Sequence, residues 1–129
     1  MTISHATKNN EMDTARDPHR KLVRAAGSWQ QRMTTLVRIR DFTFRSDEPE
    51  AVGGTNSAPT PMEFVAGAVN SCITVVIETV ANELGIGLQQ VETESAAHMD
   101  VRGFQGTAEV SPHFQEMETP LSKTINVEI

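Results

Sequence analysis

The run Pro61–Leu84 is the feature that most limits what this chain can become, because apolar residues recur along it at a helical period and leave little polar surface. Thr60 stands ready to cap it, Pro61 suits the first turn, Glu63 favours the positive end of the helix dipole, and Gly85 stops it. On a wheel of roughly 100° per residue, Met62, Val65, Ala66, Val69, Ile73, Val76, Ile77, Val80 and Leu84 form one stripe, which Phe64, Ala68, Cys72 and Val75 widen. Only a wedge of Glu63, Gly67, Asn70, Ser71, Thr74 and Glu78 stays polar. Such a helix must be covered on most of its circumference. One small sheet cannot do that, and no second long helix follows Gly85, so a second copy of the chain is expected to supply the cover in an intertwined or tightly packed homodimer. Asn70, Ser71, Glu78, Asn82 and Glu83 interrupt the apolar run, whereas a membrane span needs about 20 predominantly apolar residues. The segment therefore reads as a core helix, and no membrane partner is expected.

Strand signals flank the helix. From residue 28 to 44, Trp29, Met33, Leu36, Val37, Ile39, Phe42 and Phe44 sit among Thr and Arg, which fits two antiparallel strands joined near Arg40 and Asp41. Residues 46–61 collect Pro, Gly, Asn, Asp and Ser, which supply turn geometry and no core, so a long loop is expected. Beyond Gly87, residues 88–101 read as a strand broken by Arg102 and Gly103, with further strands over 106–110 and 124–129. Residues 1–16 lack periodicity and read as a disordered tail. Residues 17–26 could form a short helix with Asp17 as N-cap, Pro18 at the first position and Gly27 as its stop. The fold class is α+β, an antiparallel sheet packed on one long central helix. The organisation is a flexible segment over 1–27 followed by one domain over 28–129.

Charge and cysteine content bound the function. Acidic residues outnumber basic ones by 17 to 11, giving a net charge of −6, a balance that repels phosphate backbones, so nucleic acid is not an expected partner. A single cysteine cannot close an intramolecular disulfide, and the first ten residues lack the apolar run of a secretory signal, so a reducing cytoplasm is the expected compartment. His5, His19, His98 and His113 are scattered without ligand spacing, and Gly53 and Gly54 match neither phosphate-binding nor dinucleotide-binding patterns. Neither a metal nor a cofactor is expected.

The stretch over residues 46–84, SDEPEAVGGTNSAPTPMEFVAGAVNSCITVVIETVANEL, resembles the OsmC/Ohr family. The Asp47-Glu48-Pro49 turn, the Gly53-Gly54 pair ahead of a proline, the PMEF helix start at Pro61 and the cysteine in the first half of the helix carry the resemblance together, by their order and spacing. It implies a two-layer α+β homodimer in which each chain contributes an antiparallel sheet and helices to a shared core. It also implies reduction of organic hydroperoxides by a reactive cysteine on the central helix, beside an arginine and a glutamate at the subunit interface. On that pattern Cys72 is the peroxidatic thiol.

A thiolate is the form that attacks a peroxide oxygen, and it is scarce near neutral pH unless a cation favours it. Arg32, Arg38, Arg40 and Arg45 are the candidates upstream, and Arg45 is favoured because it precedes the Asp47-Glu48-Pro49 turn on the approach to the helix. Glu63 sits where the family often has the carboxylate that orients the arginine. Nine residues of straight helix separate it from Cys72 by about 13.5 Å and half a turn, so Glu63 would touch the arginine and not the sulfur unless the helix bends near Gly67. The chain departs from the family's peroxidase members in lacking a second helix with a resolving cysteine. Oxidised Cys72 would stop at sulfenic acid and await an external thiol or dithiol. The alternatives are a non-catalytic dimer of the same fold acting as a binding or structural module, and a truncated product.

Overall fold

The computed structural model describes residues 17–118 and 124–128; the tail expected over 1–16 lies outside them. The chain divides into two compact units, Met1–Pro59 and Thr60–Ile129.

The first unit is built on an antiparallel three-stranded sheet in the order β1 (Ala26–Trp29), β2 (Thr35–Ile39), β3 (Phe42–Ser46). The β2–β3 hairpin turns at Arg40 and Asp41 as the sequence predicts, pairing Ile39 with Phe42 and Leu36 with Arg45. Arg40 takes the left-handed conformation (φ 55°), and its guanidinium lies 5.0 Å from the centre of the Phe42 ring, a cation–π contact that helps hold a tight turn lacking glycine. Side chains alternate across a strand, so the register puts Trp29, Val37, Ile39, Phe42 and Phe44 on one face and Leu36, Arg38, Thr43 and Arg45 on the other. Strand β1 adds a third member that the residue pattern did not announce, since Ala26 and Gly27 carry no strand signal; it is set by pairing with β2. Residues 17–26 do not form the expected helix. Asp17 accepts from His19 N–H at 2.9 Å and from Arg20 N–H at 3.1 Å, and the chain leaves this single turn extended, because one turn fixes too few hydrogen bonds to propagate.

Residues 47–59 are the expected loop, containing one 3-10 turn, Glu50–Val52, that ends on Gly53 at φ 101°. In the second unit α1 (Pro61–Leu84) runs the predicted length and ends on Gly85 in the left-handed conformation. Its start is a reciprocal capping box. Glu63 N–H donates to Thr60 Oγ1 at 3.2 Å, and Thr60 N–H donates to Glu63 Oε1 at 2.8 Å, satisfying two donors that a helix start otherwise leaves open. The helix lies against β4 (Gly87–Glu92), and Ser95 Oγ donates to the Ala66 carbonyl at 3.1 Å.

The remaining strands pair across long intervals. β4 pairs antiparallel with β7 (Thr124–Glu128), and β5 (Ala96–Met99) with β6 (Phe114–Glu118), each ladder carrying one register shift. The strand expected over 88–101 is therefore two strands with different partners. Residues 101–105 form a short helix, α2 (Val101–Gln105), where a break was expected. Asp100 starts it by accepting from Arg102 N–H at 3.0 Å, and hydrogen bonds from the Arg102 guanidinium, the shortest 2.6 Å, and then from its backbone N–H lower the Asp100 pKa to about 2. Residues 106–110 are turns and not a strand: Gly106 caps α2 at φ 72°, and Thr107 N–H returns to the Arg102 carbonyl.

Replacing Thr60 by Ala is expected to lower unfolding free energy by about 1 kcal/mol, the usual worth of an N-cap side chain, read by urea denaturation. An unchanged midpoint would show that the box contributes nothing.

Candidate functional site

Helix α1 has two apolar flanks. Met62, Ala66, Val69, Ile73, Ile77 and Ala81 follow one another at three- and four-residue spacing and are half-buried or buried; among the described residues Ala81 is the one fully buried hydrophobic side chain. About a third of a turn away, by the helical period, Val65, Ala68, Cys72, Val75 and Val76 form a second stripe that is exposed, Val75 by 62% and Val76 by 55%. Cys72 lies in the middle of that outward stripe and is itself exposed. The expectation of a buried cysteine is thus not met within a single chain.

Glu63 and Cys72 fall on opposite sides of α1, about 13.5 Å apart along the axis of a regular helix, and the structure does not bring them together. Glu63 is instead committed to the cap. The Thr60 backbone N–H, and then its hydroxyl, hold the Glu63 carboxyl below the ordinary glutamate range. The capping box and a favourable charge at the helix start thus account for one carboxylate oxygen, Oε1.

The four candidate arginines belong to the first unit and separate by what they touch. Arg32 donates from Nε to the Gly53 carbonyl at 3.1 Å and from Nη2 to the Gly54 carbonyl at 3.2 Å, clasping the loop. Arg40 is spent on the Phe42 ring. Arg38 and Arg45 stand on the polar face of the sheet, exposed, with neither hydrogen bond nor ion pair among the described residues. Arg38 and Arg45 alike therefore keep their guanidinium groups unengaged among the described residues, while Glu63 and Cys72 lie in the second unit. Among the described residues no group of His, Cys, Asp and Glu is placed to hold a metal.

The polar centre that residue reasoning passed over is Asp47, which is fully buried. Its Oδ1 accepts from Glu48 N–H at 2.8 Å. Its Oδ2 accepts from the Thr55 hydroxyl at 2.6 Å, the Ser57 hydroxyl at 2.7 Å, Ser57 N–H at 3.1 Å and Thr55 N–H at 3.2 Å. The hydroxyls of Thr55 and Ser57, and then the amides of Glu48 and Ser57, hold the Asp47 carboxyl far below the ordinary aspartate range, outweighing the opposing effect of burial. The spacing of Asp47 to Thr55 and Ser57 was visible in the sequence, but nothing in it says that two hydroxyls eight and ten residues on return to one carboxylate.

An α+β chain with one long apolar helix carrying a lone cysteine on its outward stripe is the class that these observations define. The family model described as OsmC-like protein matches residues 54–128, a span that contains Glu63 and Cys72 and leaves Arg45 and Asp47 just outside. The chain belongs to the OsmC family. Membership assigns it a stress-related, peroxidase-like kind of function, and members of the family are often dimers and act on hydroperoxides. No curated protein matches the sequence.

Asp47 generates a pH prediction. Its carboxyl is depressed relative to the unfolded value of 3.8, so its contribution to stability is full above that value and is lost as pH falls below it through the folded value. Acid titration of the melting temperature should show a decline beginning near pH 4, and Asp47→Asn should flatten it. An identical acid limb in both proteins would remove Asp47 as its source.

Proposed function

We propose that this protein reduces organic hydroperoxides through Cys72, as a homodimer whose second copy covers the outward stripe of α1. The observation that carries the reading is the position of Cys72: a thiol at the centre of an apolar stripe that the described residues leave bare, on the helix within the family match. Val65, Ala68, Val75 and Val76 surround the sulfur with hydrocarbon, which favours an alkyl hydroperoxide over hydrogen peroxide. Arg45 is the cation assigned to stabilise the thiolate. Glu63 is assigned to orient that arginine through the oxygen its cap leaves over.

The reaction balances without a cofactor. The Cys72 thiolate attacks the distal oxygen of the peroxide, the O–O bond breaks, and the alkoxide takes a proton and leaves as the alcohol. Cys72 is left as sulfenic acid. An external thiol attacks that sulfur and releases water, and a second thiol resolves the mixed disulfide, returning the Cys72 thiol and an oxidised dithiol. A reducing cytoplasm, which holds such thiols, is the compartment this chemistry suits.

The helix is long and apolar enough, by length and composition, to cross a membrane. Family membership and the packing of one flank on β4 support the reading of α1 as a core helix instead. Each valine of the outward stripe gains roughly 1.5 to 3 kcal/mol when fully covered, enough for a few of them to hold two copies together.

Reduced protein mixed with cumene hydroperoxide and dimedone should yield an adduct at Cys72 by mass spectrometry, at least about tenfold faster than with hydrogen peroxide, since apolar contacts of this size discriminate by that order. Absence of the adduct would end the proposal. Sedimentation should give one species of twice the 14.1 kDa chain mass. Val76→Glu should shift it to monomer or aggregate, and a wild-type monomer that melts cooperatively would refute the dimer.

A further inference from the structure

We draw no further inference here: the strongest candidate, the apolar face of the three-stranded sheet on which Trp29 and Phe42 stand exposed beside Val37 and Ile39, carries nothing further because nothing in the structure shows what covers it.

Discussion

Helix α1 carries an apolar flank that the described residues leave exposed, and the proposed function turns on that flank. Its packed flank meets β4, while Val65, Val75 and Val76 on the other flank stay open to solvent. Among the side chains described, Ala81 is the one buried hydrophobic group, so little apolar burial, the dominant favourable term in folding, is supplied there. A second copy laid on the outward stripe would repair that shortage and would enclose Cys72 by the same step. Under the proposed function, stability and chemistry would draw on one surface: the hydrocarbon holding two copies together would also exclude water from the sulfur and receive the organic part of the peroxide.

Polar order in loop 47–59 comes from hydrogen bonds. Asp47 is buried without a cationic partner among the described residues and stays ionised because donors from Glu48, Thr55 and Ser57 replace the water it has lost. The pair of Asp100 with Arg102 is the opposite case: both charges remain partly in solvent, where an ion pair contributes little, and its value is to start a five-residue helix. The Glu63 carboxylate is intermediate, an exposed charge made useful by its place in the capping box. Loop 47–59 therefore has a defined shape although it contains hardly any regular structure. A family resemblance read from its turn residues marks where that shape is needed without explaining how it is held.

Much of the local structure was legible in residue order. The limits of α1 follow from Thr60, Pro61 and Gly85, since caps act within a few residues of themselves, and the β2–β3 hairpin follows from alternating apolar residues on either side of Arg40 and Asp41. The misses share a cause. β1 has almost no apolar signal and exists through its pairing with β2, and residues 88–101 divide because β4 and β5 find separate partners, β7 and β6, far along the chain. The expected strand over 106–110 gave way to local bonds, with Gly106 capping α2 and Thr107 N–H turning back to Arg102.

For the site, the sequence by itself determined the cysteine, the helix that bears it and the apolar neighbours at three- and four-residue spacing, because a helix places side chains by a period that needs no other part of the molecule. Tertiary structure decided which flank of that helix is packed and that Cys72 lies on the other. It also decided that Arg32 and Arg40 are already engaged while Arg38 and Arg45 have no partner among the described residues, and that Asp47 is a buried anchor. The engagement of Arg32 and the burial of Asp47 depend on residues 8 to 22 positions apart meeting in space, as Thr55 meets Asp47 and Arg32 meets Gly54, and a local period carries no information about such meetings.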